Sequence, residues 1–161
     1  MNQNTNQTEP MDIKRTTVGF ALAKITTEQF ATIDDNLPQQ GAEIGIEINF
    51  RFSVSENKKM IGVFVNFAFQ SEGKQFLIVE GGCHFKIKPE DWTDMLSANQ
   101  TELTVSTGLL RHLATITVGT TRGILHAKTE NTSFNKYHLP TINVTEVIDK
   151  DSVFRFNREN M

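Results

Sequence analysis

Residues 43–87 read EIGIEINFRFSVSENKKMIGVFVNFAFQSEGKQFLIVEGGCHFKI. Ile44, Ile46, Ile48, Phe50, Phe52 and Val54 recur at every second position, with Glu47, Asn49, Arg51 and Ser53 among the residues between them. Side chains alternate across a strand, so this period of two predicts one apolar and one polar face. Glu56-Asn57-Lys58 makes a polar turn, after which Ile61, Val63, Val65, Phe67 and Phe69 resume the alternation. Ser71 to Lys74 makes a second turn. The third strand then aligns Leu77, Val79, Gly81, Cys83, Phe85 and Ile87, opposite Phe76, Ile78, Glu80, Gly82, His84 and Lys86. Short turns between such runs predict an antiparallel meander. Gly81-Gly82 inside a strand predicts a bulge or a close backbone approach.

Upstream, residues 13–33 carry Ile13, Val18, Phe20, Leu22, Ile25, Phe30 and Ile33, and predict a further strand with a break near Thr26-Thr27. Asp34 to Pro38 supplies turn chemistry. A sheet with one strongly apolar face needs a cover, and no helix precedes it, so the cover must come from residues 89–161. Pro89 starts a short helical turn reaching Met95-Leu96, with Glu90, Asp91 and Asp94 as a solvated acidic start. Ser97 to Glu102 reads as a polar connection. Residues 106–128 read two ways. Leu109, Leu110, Leu113, Ile116, Thr120 and Ile124 follow helical spacing. The β-branched run Ala114 to Thr121 favours strand locally. Asn143, with Glu146 three residues on, reads as the N-cap of a short helix.

The chain has 161 residues, enough for one domain with its own core. The expected division is a flexible polar tail over 1–11, a single α+β domain over 12–150 and a C-terminal tail over 151–161, in which Phe154 and Phe156 either dock or stay free. A net charge of −3 gives no general attraction to phosphate backbones, so nucleic acid is not an expected partner. No run approaches the length of a membrane span, and the first ten residues lack a signal peptide's basic start and apolar stretch. Cytoplasmic residence is the default expectation. The single Cys83 cannot form an internal disulfide and reads as a buried free thiol.

Catalytic chemistry is not evident. His84, His112, His126 and His138 lack metal-ligand spacing, and no phosphate-cradling glycine loop opens a helix. Cys83 and His84 fall on opposite faces of one strand and cannot pair as nucleophile and base. The expectation is therefore a binding protein without enzymatic activity and without cofactor or metal. Arg122 lies in an apolar run, so its head must snorkel or pair, with a carboxylate or across a subunit contact. Gly119 and Gly123 would allow a helix there to approach a neighbour closely.

Residues 113–148 read LATITVGTTRGILHAKTENTSFNKYHLPTINVTEVI. Arg122-Gly123, then Leu139-Pro140, then Asn143 before a short apolar helix, resemble the C-terminal half of SecB and SecB-like proteins. The strand FLIVEGGCHFKI is similar to that family's last strand, with Gly82, Phe85 and Ile87 at matching positions. The resemblance implies helix for residues 106–128. It also implies the family's fold: a four-stranded antiparallel sheet with one face covered by two C-terminal helices. Arg122, Gly123, Leu139, Pro140 and Asn143 would be its structural motif residues.

The function so implied is a holdase chaperone that binds unfolded or pre-export polypeptides in apolar grooves. The resemblance further implies a homotetramer, a dimer of dimers, with the long helix at the subunit contact. Phe50, Phe52, Phe64, Phe76, Ile78, Ile142 and Val144 are the expected client-binding residues. Phe64, Phe76 and Ile78 lie opposite the presumed core face, where an apolar patch would be a subunit contact or a client site. SecA, a partner the family meets through an acidic outer sheet face, is poorly matched, because Glu47 and Glu80 are accompanied by Arg51, His84 and Lys86. The alternative function is a dedicated interaction module for one protein, such as a member of a toxin–antitoxin system.

Overall fold

A computed structural model describes residues 17–158 of the chain. The tail expected over 1–11 and the strand start at Ile13 lie outside the described residues. The architecture is α+β, with a four-stranded antiparallel sheet ordered β1-β4-β3-β2. Its strands are β1 (Phe20–Thr32), β2 (Gly45–Ser55), β3 (Met60–Ser71) and β4 (Lys74–Ile87). Helix α1 (Pro89–Met95) and strand β5 (Glu102–Val105) lead into the long helix α2 (Thr107–Thr129). A single turn, α3 (Val144–Val147), and strand β6 (Ser152–Arg155) follow. The C-terminal helices cover one sheet face, and nearly all of that cover is α2, which lies over β4 and β3.

Helix wins over local propensity in α2 for two reasons. Leu110, Leu113, Ala114 and Leu125 are each at most 2% exposed, and burying each leucine stabilises the fold by about 2 kcal/mol. The threonines lose little, because five of them turn their hydroxyls back onto the preceding turn. Thr115, Thr117, Thr120, Thr121 and Thr129 donate to the carbonyls of Arg111, Leu113, Ile116, Thr117 and Leu125. Ser106 caps the helix by accepting from the Leu109 N–H.

The glycine pair of β4 makes two close approaches, one on each face, and the register irregularity beside it falls in the partner strand β1, opposite Gly81 and Glu80. A Cβ on Gly81 would meet Thr121 and Ile124 of α2, while one on Gly82 would meet the Phe64 ring and Thr26. The helix therefore seats directly on backbone at Gly81. In β1 the irregularities fall between Leu22 and Lys24 and between Thr27 and Gln29, flanking the expected break at Thr26-Thr27. Cys83 is fully buried with a free thiol.

Three expectations need correction. Phe76 does not lie opposite the core face. The β3–β4 register slips between Phe69 and Gln70, which turns Phe76 inward to full burial against Phe69 and Tyr137. The boundary expected at 150 moves, because the last segment takes the docked of its two alternatives. β6 pairs antiparallel with β5, Phe154 and Phe156 dock against the core, and Arg158 bridges to Glu56 at 2.6 Å. The polar connection likewise passes at Glu102 into a strand whose Leu103 and Val105 are fully buried.

Asp151 joins this hairpin to the helix. Its carboxylate accepts from the hydroxyl and the backbone N–H of Thr107, at 2.6 and 2.7 Å. Those bonds, the hydroxyl's first, hold the carboxyl below its ordinary pKa. Their contribution to stability is present above the unfolded carboxyl's pKa and disappears as pH falls through the lower folded value. Asp151→Asn should therefore flatten the loss of stability on acidification below about pH 4. Urea midpoints of both proteins at pH 7 and pH 3 check this, and parallel changes in the two would contradict it.

Candidate functional site

With α2 centred on β3 and β4, the edge strands β1 and β2 stand to either side of it. His112 meets Phe20 of β1 edge to face, which fixes one flank of the helix. Arg111 and Arg122 lie on the opposite flank, eleven residues and about three turns apart. The two arginines clamp the returning chain. Arg111 donates to the carbonyls of Ile148 and Thr145, at 2.7 and 3.2 Å, and Arg122 donates to that of Pro140 at 3.2 Å. Arg122 thus pairs within the chain with a backbone carbonyl. The three bonds tie residues 140–148 to the helix.

The inner row of β2 is a half-buried apolar strip of Ile46, Ile48, Phe50, Phe52 and Val54, called the trough below. Phe50 and Phe52 lie parallel, with ring centroids 6.5 Å apart. The row continues at one end to Ile44, which is 41% exposed. Val65 and Phe67 of β3, the cross-strand partners of Phe50 and Ile48, are fully buried. Of the returning chain, Leu139 is buried, Ile142 is half-buried against the same cluster as Ile46, Ile48 and Phe50, and Val144 is half-buried against the one that holds Phe52 and Val54. Asn143 caps α3 by accepting from the Thr145 N–H at 3.2 Å, and its amide donates to Glu146. That cap holds Val144 against the core.

The seven expected client-binding residues therefore divide among three places. Phe50, Phe52, Ile142 and Val144 are half-buried against the core on the covered side of the sheet. Phe76 is core. Phe64 and Ile78 lie on the uncovered outer face, where Phe64 is only 6% exposed. That ring lies on Gly62 and Gly82, with the Arg51 guanidinium 3.9 Å from its centroid and His84 at right angles, so it is not an open apolar patch. Ile46, Ile48 and Ile44 belong to the trough as well. The strand alternation named them, but only the seat of the helix over β3 and β4 shows why they are half-covered.

Among the described residues, no group of His, Cys, Asp and Glu could hold a metal ion. No helix there is long and apolar enough to cross a membrane. No family model matches the chain, and no curated protein matches it. Among solved structures, the chain is similar to the Mycobacterium tuberculosis Rv1957 SecB-like chaperone in complex with a ChAD peptide from the Rv1956 HigA1 antitoxin. The identity is 13%, the match covers 77% of this chain and 91% of that one, and the TM-score is 0.45.

Proposed function

We propose that this chain is a SecB-like holdase chaperone that binds unfolded or pre-export polypeptides without nucleotide or catalysis. The observation that carries the reading is the trough on β2. Five apolar side chains in a row on its inner face are half-exposed along a strand that, among the described residues, pairs only with β3. A long open apolar trough suits extended chain with exposed apolar or aromatic residues, and weak contacts along one client add through effective concentration. Native mass spectrometry with a reduced, unfolded protein beside its folded form tests this. Uptake of the unfolded form alone supports the reading. Indifference to both, with tight capture of a single cellular protein, would move the function to a dedicated interaction module.

Cytoplasmic residence and a homotetramer built as a dimer of dimers belong to the same proposal. Gly108, Gly119 and Gly123 stand exposed on α2 with nothing within 4 Å of an added Cβ. Glycine in a helix interior costs about 1 kcal/mol against alanine, and this chain's own packing gives no return for it. Leu22 and Ile25, 44% and 51% exposed on β1, add uncovered apolar surface on the helix side of the sheet. Gly119→Leu should shift the assembly to smaller species in sedimentation. An unchanged or monomeric distribution would remove the tetramer from the proposal. SecA is left out of the reading, because Glu47 is engaged by Asn49 and Glu80 by Arg51 and Asn66.

A further inference from the structure

The uncovered face of the sheet sorts its charges along the strands. Five rows of residues run across it from β2 to β1. Ser55, Met60, Lys86 and Ala21 form the first, and Ser53, Gly62, His84 and Lys24 the second. Arg51, Phe64, Gly82 and Thr26 form the third. Asn49, Asn66, Glu80 and Gln29 form the fourth, and Glu47, Ala68, Ile78 and Ala31 the fifth. The first three rows hold Lys86, Lys24, Arg51 and His84 without one carboxylate. The last two hold Glu80 and Glu47 without one cation.

The basic end extends past the strands. Lys58 and Lys59 of the β2–β3 turn join Lys86 and Met60 around an open depression of about 470 Å³. Of the carboxylates near this end, Glu56 bridges to Arg158 and Glu80 to Arg51. Glu28 accepts from the Thr26 hydroxyl and Asp91 from the Gly19 N–H, bonds that neutralise neither, so the basic surface rests on the four lysines. Among the described residues, neither Lys24, Lys58, Lys59 nor Lys86 has an ion-pair partner. The floor is low, with Gly62, Gly82, Ala21, Ser53 and Ser55 between the cations, and Phe64 lies flat under Arg51.

We propose that this end of the outer face docks an acidic polypeptide segment, on a surface separate from the trough. Charge decides the kind of partner. The whole chain carries −3, so an extended polyanion such as duplex nucleic acid or an anionic membrane meets the acidic remainder along with the patch. A short acidic segment meets only the patch, because charges more than about 8 Å away are screened at physiological salt. Glu80 is paired with Arg51, and Glu47, whose carboxylate has only the neutral Asn49 amide, repels a carboxylate that strays to the far end.

Fluorescence anisotropy with a labelled peptide of alternating Glu and Ser tests the proposal on the full chain. The peptide should bind more tightly than its Lys-Ser counterpart and weaken as salt rises. Lys24→Glu with Lys86→Glu should lower its affinity roughly tenfold or more. Lys128→Glu, on the exposed surface of α2, should leave it unchanged. If the double charge reversal melts early, Lys24→Gln with Lys86→Gln reads the same loss in a milder form. Equal binding of the Lys-Ser peptide, or an equal loss with Lys128→Glu, would overturn the proposal. So would tighter binding of a DNA duplex or phosphatidylserine vesicles. Phe50→Thr with Phe52→Thr should leave the acidic peptide bound, which separates this surface from the client trough.

Discussion

Gly81→Ala is expected to destabilise the fold by about 2 kcal/mol, an effect far larger than an exposed strand alanine would produce. An alanine normally gains on glycine in a strand by losing less conformational entropy. Here the added methyl enters space held by the Thr121 hydroxyl and comes within 3.1 Å of its Cβ and 3.3 Å of Ile124 Cδ1. Thr121 cannot swing clear at no cost. It is fully buried, β-branched, and its hydroxyl donates to the Thr117 carbonyl at 2.8 Å. The helix must therefore lift from β4, which opens the contacts of Leu113 and Leu125 as well. Thr121→Ala placed in the same chain removes the clashing oxygen and should recover about 1 kcal/mol, a coupling that a double-mutant cycle of urea midpoints reads directly. An unaltered midpoint for Gly81→Ala would mean that α2 does not rest on β4 at this point.

Phe50→Thr combined with Phe52→Thr should weaken binding of an unfolded client by at least about tenfold. Aromatic anchors cost roughly 1–2 kcal/mol each when truncated at an interface, and the two rings lie side by side on one strand. Threonine keeps the preference for strand, so β2 still forms, although the half-buried rings also pack on the core and the fold should lose about 2 kcal/mol. Phe64→Thr is the matched control, since that ring belongs to the opposite face beneath Arg51. Titration of a reduced, permanently unfolded protein by fluorescence separates the two. A loss confined to Phe50 and Phe52 assigns clients to the trough. Equal losses from both faces, or none from either, would remove the trough from the mechanism.

The meander was legible because each strand pairs at short range and each alternates cleanly, so residues 43–87 specify both pairing and face. The helix was not legible from propensity, since Ala114 to Thr121 carries the composition of a strand. The sheet's need for a cover decides it, and the threonines fit once their hydroxyls bond to the turn before. Phe76 misled because parity counting assumes an unbroken register, and the slip at Phe69 and Gln70 moves one residue to the other face. The β5–β6 hairpin gave little local signal. Four-residue strands show almost no periodicity, and the partners Glu102 and Arg155 are 53 residues apart. Of the seven expected client residues, Phe50 and Phe52 rest on the apolar row of β2, which alternation makes legible. The trough itself depends on where α2 sits across the sheet and on two arginines that grip carbonyls, neither of which alternation encodes.

The pairing of β5 with β6 also sets an order of assembly during synthesis. β2, β3 and β4 can zip as they leave the ribosome, since each meets its neighbour across a short turn. Strand β5 and the start of α2 emerge next, but Leu103 and Val105 have no partner strand until residues 152–155 follow. For the time taken to translate those fifty residues, the nascent domain carries an unpaired strand beside the apolar face of its sheet, the kind of surface that an unfinished chain exposes.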